Sequence, residues 1–127
     1  MNVLFLDDEI SRRKAFRARC PSAILVSKAA EAIVSLSPTK WDLVCLDHDL
    51  DDYFDTAEHS NTGMTVVEYI CEKKPKISQI VVHSINVPAA EEMVRKLQDA
   101  GYQAQHVPFF WAQFNERMID GHESERD

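Results

Sequence analysis

Three times along this chain of 127 residues, a short unbroken apolar run stops abruptly at polar groups. Val3–Leu6 runs into Asp7-Asp8-Glu9, Leu-Val-Cys-Leu within Asp42–Leu46 runs into Asp47, and Gln79–Val82 ends at His83-Ser84. Runs this short and this continuous fit strands buried on both faces, which is the condition of a parallel sheet. The segments between them change to helical spacing. Ile10–Arg19 carries Ile10 and Phe16 among basic residues, and Lys28–Leu36 shows an apolar stripe that Ser27 is placed to cap and Pro38 to stop. Met64–Glu72 has Val66, Val67 and Ile70 on one face. Pro88–Ala100 has proline near its start and Gly101 just past its end. Ala23–Val26 and Gln103–Val107 supply two more strands. Trp111–Met118 reads as a last helix, with Phe109, Phe110, Trp111 and Phe114 packing it.

Strand and helix thus alternate five times, predicting an α/β doubly wound domain with a five-stranded parallel sheet. It is expected to span residues 1–120, followed by a polar tail at 121–127. The length suits one domain. No run approaches the roughly 20 apolar residues of a membrane span. The N-terminus lacks the basic region of a signal peptide. Cys20, Cys45 and Cys71 are scattered, with no CxxC pair, as expected of reduced thiols in a cytoplasmic protein.

Charge narrows the function. Fourteen Lys and Arg stand against 21 Asp and Glu, a net charge of −7. Nine of those acids lie between Trp41 and Glu72, a stretch with no Lys or Arg, so the other 95 residues are nearly neutral. The five bases between Arg12 and Arg19 have little aromatic interleaving, and no extended nucleic-acid surface is expected. The polar stretch Asp49–Asn61 is long for a loop in a compact domain, and so is itself a pointer to function. Within it, Asp51, Asp52, Asp55 and Glu58 read as a solvated acidic surface. Doubly wound sheets bind ligands beyond the carboxyl ends of their strands. With strand order 2-1-3-4-5, strands one and three are neighbours and Asp7, Asp8 and Asp47 converge. Their mutual repulsion calls for a cation with oxygen ligands, Mg²⁺ or Mn²⁺.

Leu6-Asp7-Asp8-Glu9, Leu46-Asp47, Thr62-Gly63 and Ser84 together resemble the response-regulator receiver domain, a flavodoxin-like fold, to about Phe109. The resemblance implies that Asp7 and Asp8 bind Mg²⁺, that Asp47 is the acid that accepts a phosphoryl group, and that the Asp49 carbonyl completes the metal site. It also implies that Ser84 contacts phosphoryl oxygens. The family's Lys-Pro after strand five is Val107-Pro108 here, so the cation that a phosphorelay receiver uses on the transferred group is missing. Leu46-Asp47-His48-Asp49-Leu50-Asp51-Asp52 and His83-Ser84-Ile85-Asn86 are more specific. They resemble the cyclic-phosphate processing receiver domain, whose members are proposed to act on cyclic phosphates.

That resemblance implies a metal-dependent phosphoesterase acting on a small cyclic phosphate or a cyclic nucleotide end. Asp7, Asp8, Asp47 and Asp49 are the metal candidates. His83, or alternatively His48, is the general acid, since an imidazole titrates near neutrality. Strand alternation is expected to turn His48 away from Asp47 and Asp49. Ser84, Asn86 and Arg12 or Arg13 are the phosphate-binding candidates, with Asn86 also placed to cap the helix after it. The nucleophile is left between a water on the cation and Asp47 itself. The alternative is a degenerate receiver without turnover that binds a metal, a phosphorylated ligand or a protein partner.

Overall fold

The computed structural model describes residues 1–37, 40–50 and 62–108. Nine elements alternate along them: β1 (Val3–Leu6), α1 (Ile10–Arg19), β2 (Ile24–Val26), α2 (Ala29–Leu36), β3 (Trp41–Leu46), α3 (Gly63–Lys73), β4 (Ile77–Val82), α4 (Val87–Asp99) and β5 (Ala104–His106). The strands form one sheet in the order β2-β1-β3-β4-β5, every pair parallel. This is the doubly wound parallel sheet that the apolar runs predict, in the strand order that the receiver resemblance implies. The expected last helix at Trp111–Met118, the tail at 121–127 and Asp51–Asn61 lie outside the described residues. No helix among the described residues is long and apolar enough to cross a membrane.

Alternation sorts the strand side chains onto two faces. Leu4, Leu6, Val44, Leu46, Ile80 and Val82 pack with α2, α3 and α4 through residues such as Leu36, Ile70 and Met93. Val3, Phe5, Leu43, Cys45 and Val81 pack on the other face against Phe16 of α1, together with Val107 just beyond β5. Each fully buried Leu, Ile or Phe contributes roughly 1.5–3 kcal/mol relative to exposure.

The observed boundaries differ from the expected ones at several ends. β4 begins at Ile77, before its apolar run, because Trp41 on β3 pairs with Ile77. Lys28, not Ser27, is the N-cap of α2. Glu31 reaches back instead, its Oε1 accepting from the Ser27 and Lys28 amides at 3.0 and 3.1 Å. At the far end of α4, Gly101 adopts φ 99°, the left-handed turn expected there.

Candidate active site at the carboxyl ends of the strands

Sheet register brings the candidate residues together. Phe5 pairs with Cys45 and Cys45 with Val81, while Val81 pairs with Gln105. Two residues further along each strand, on the same face, come Asp7, Asp47, His83 and Val107. The hydrogen-bond ladder runs on through this row. The amide of Asp7 donates to Val26 O at 3.1 Å, that of Asp47 to Leu6 O at 3.1 Å, that of His83 to Leu46 O at 2.9 Å and that of Val107 to Val82 O at 2.9 Å. The row is therefore held by the sheet itself. Ligand atoms of Asp7, Asp47 and His83 all lie within 4.8 Å of one another.

Asp7 is the anchor of the group and is fully buried. Its Oδ1 accepts from the Glu9 amide at 2.8 Å and from Arg12 Nη2 at 3.1 Å. Its Oδ2 accepts from Arg12 Nε at 2.7 Å and from His83 Nε2 at 3.0 Å. Burial alone would raise the Asp7 carboxyl, but the donors on His83 and Arg12 outweigh it and hold the group below its ordinary value. Arg12 leans the same way, since Asp7 raises its guanidinium above the ordinary range.

Asp47 lacks such donors. Among the described residues its Oδ1 accepts from the His48 amide at 2.9 Å, and Arg12 Nη2 stands 3.8 Å from its Oδ2. Burial, and after it the negative charge of Asp7, pushes its carboxyl up to about 7. Asp8 adds to that push, although its side chain is not in the close group of three. Two adjacent buried carboxylates, one of them holding its proton to near neutrality, make a site that gains by taking up a cation. An oxygen donor set of this kind fits Mg²⁺ or Mn²⁺.

His83 is buried at 1% exposure and lies flat on Phe5, ring centroids 4.7 Å apart, with Phe5 stacked on Phe16 at 4.2 Å. A carboxylate only accepts, so the ring donates to Asp7 from Nε2. Burial lowers the His83 imidazole against the opposing pull of Asp7, and the ring is the neutral, orienting partner of that carboxylate.

His48 departs from the expectation drawn from strand alternation. β3 ends at Leu46, so the pleat does not extend to residue 48. Its Nδ1 meets Asp49 Oδ1 at 2.6 Å. The Asp49 carboxylate also accepts from Asn86 Nδ2 at 3.4 Å on each oxygen. Asn86 is the N-cap of α4, its Oδ1 accepting from the Ala89 amide at 3.4 Å. Asn86 therefore links the end of β3 to the start of α4.

Ser84 is buried at the end of β4, where its Oγ accepts the Asn86 amide at 3.0 Å. Its carbonyl accepts from His106 Nε2 at 2.7 Å. His106 did not stand out in the sequence, and only the pairing of β4 with β5 places it there. Arg13 donates from Nη1 to the Asp7 carbonyl at 2.8 Å and so buttresses backbone, whereas Arg12 takes the carboxylate. Val107 is buried among Phe5, Phe16 and Val81, so an apolar side chain fills the row position beside His83.

The profile of the cyclic-phosphate processing receiver domain matches residues 2–99. A comparison with curated proteins finds no match. Among solved structures, the response regulator TrrA from Thermotoga maritima, in complex with Mg²⁺ and BeF, superposes with a TM-score of 0.67 at 17% identity, covering 96% of each chain. A response regulator from Colwellia psychrerythraea gives 0.69 at 11% identity, over 99% of this chain and 98% of that one. A CheY-like receiver from Methanospirillum hungatei gives 0.61 at 16%, over 98% and 97%. At these identities the likeness is one of fold.

Proposed function

The chain belongs to the cyclic-phosphate processing receiver domain family, and we propose that it is a metal-dependent phosphoesterase that opens small cyclic phosphates or cyclic nucleotide ends. The observation that supports this most directly is the buried Asp7–Asp47 pair, with His83 within 4.8 Å. Asp7 and Asp47 are the side chains that would hold the cation, with Asp8 and the Asp49 carbonyl as the further donors implied by the receiver pattern. A divalent cation held there would polarise a phosphoryl oxygen.

The chain's own groups supply the rest. His83 spends its Nε2 proton on Asp7 and so fixes the orientation of that carboxylate. Ser84 receives the Asn86 amide on its oxygen, which leaves the hydroxyl hydrogen to donate to phosphate. Water attacks phosphorus, Asp47 takes its proton, and the ring P–O bond breaks. The alkoxide that departs needs a proton, and His48 gives it from Nε2 while Asp49 holds Nδ1. The product is a phosphomonoester with one new hydroxyl. Attack by Asp47 itself is disfavoured because Val107 brings no lysine to a phosphoaspartyl group.

Incubating the Mn²⁺-loaded protein with nucleoside 2′,3′- and 3′,5′-cyclic monophosphates, and separating the products by chromatography, tests the reading. Ring-opened monoester is expected, with His48→Ala slowing its release by about 10²-fold or more. Binding without ring opening across the panel would return the chain to the class of ligand-binding modules.

A further inference from the structure

We propose that Arg12 is a resident counter-cation that competes with a divalent cation for the Asp7 and Asp47 carboxylates, and that loading the cation releases Arg12 to bind the substrate's phosphate. This rests on the reading that the site takes a divalent cation.

A carboxylate offers about four lone-pair sites. On Asp7 four N–H donors occupy them: the Glu9 amide, His83 Nε2, and both Nε and Nη2 of Arg12. The same guanidinium approaches Asp47 at 3.8 Å, so Arg12 neutralises the ground between the two acids. A cation held by Asp7 would need an oxygen lone pair that one of these donors now holds. Two of the donors are fixed. The Glu9 amide belongs to the N-cap of α1, and His83 is buried and stacked on Phe5. Arg12 is the donor best placed to withdraw, with 31% of its side chain exposed at the end of a long flexible stem. Once displaced it stays tethered to the first turn of α1 at the mouth of the site. Its planar fork of donors then suits two phosphoryl oxygens at once. It thereby supplies from α1 the positive charge that Val107 does not supply from β5.

Arg13 provides the control. It carries the same charge next door but donates to the Asp7 carbonyl, not the carboxylate. General electrostatics predicts that losing either arginine strengthens cation binding, Arg12 more because it is nearer, whereas direct competition predicts a gain at Arg12 with none at Arg13.

The test is a titration of Mn²⁺ followed by the electron paramagnetic resonance signal of the free ion, on wild type, Arg12→Ala and Arg13→Ala. Arg12→Ala is expected to bind Mn²⁺ about tenfold tighter or more, the equivalent of one charge-assisted hydrogen bond removed from competition. Arg13→Ala is expected to stay near wild type. Thermal unfolding with and without Mn²⁺ covers the case of a weakened fold, and there Mn²⁺ should raise the midpoint of Arg12→Ala more than that of wild type. Equal or weaker Mn²⁺ binding by Arg12→Ala, or a gain in Arg13→Ala as well, overturns the proposal. If ring opening by the wild type persists in that event, the phosphoesterase reading survives it. If no variant binds Mn²⁺, both the competition and the metal-dependent part of that reading fall.

Discussion

Residues that share one row of the sheet here receive opposite treatment from their surroundings. Asp7 is given four donors and stays ionised, while Asp47 is given burial and a neighbouring negative charge and is pushed up to about 7. In the unfolded chain Asp47 returns to its ordinary value of 3.8, so between those two values only the folded chain keeps the proton. Without metal, its contribution to stability therefore falls as pH rises from about 4 to about 7 and stays low above that. Asp47→Asn has no proton to lose. In EDTA it should gain on wild type across that window, by on the order of 4 kcal/mol at most. Urea unfolding of both proteins near pH 4 and near pH 8 measures this, and a difference independent of pH contradicts it. His83→Ala removes a buried ring and a donor to Asp7. It should cost roughly 2–4 kcal/mol in the same assay. The convergence of Asp7 with Asp47 was legible in the sequence because each directly follows an apolar run, whereas Asp8, expected with them, is not in the close group and His83 is. The job of His83 as a support for Asp7 was not legible, since it depends on burial and on the ring beneath it. The choice of Arg12 over Arg13 for the carboxylate was not legible either, because it depends on the helical phase of α1 relative to β1.

Elements set these residues at their distances. α3 begins where Gly63 donates its amide to His48 O at 2.9 Å, and a Cβ at Gly63 would lie 1.8 Å from Asp47 O. That closeness leaves no space for any side chain, so Gly63→Ala must push the start of α3 away from the site. It should lose at least the roughly 1–3 kcal/mol typical of overpacking, with a fall in ring-opening rate. Thermal unfolding and a rate assay read both, and unchanged values contradict the packing described. On the opposite face the stack of Phe16, Phe5 and His83 joins α1 to the site. Phe16→Ala should cost about 3–5 kcal/mol by urea unfolding. Beyond β5, Val107 is buried at the place where the receiver resemblance implies a lysine. Acetyl phosphate should accordingly leave no stable label on Asp47, as intact-mass spectrometry would show. The elements were readable from period and punctuation to within a residue or two. The misses fall where contacts outside the local pattern decide: β4 is extended by its partner Trp41, α2 is capped from within by Glu31, and His48 lies beyond the last paired residue of β3.

For the whole molecule, the acidic excess of −7 acquires a location. Asp47 from the acidic stretch meets Asp7 from the N-terminus at the carboxyl edge of the sheet, whose order is the one that the receiver resemblance implies. A ligand that binds only the folded chain stabilises it, by about 2.7 kcal/mol at a hundred times its dissociation constant. Mn²⁺ should therefore raise the thermal midpoint of wild type. The most direct test of the central claim is a phosphorus NMR time course on a cyclic nucleotide mixed with Mg²⁺-loaded protein. The cyclic phosphate resonance should give way to a phosphomonoester with wild type, and persist when EDTA is added or Asp47→Asn is used. A resonance that persists with metal-saturated wild type, or is lost equally fast with Asp47→Asn, contradicts the account.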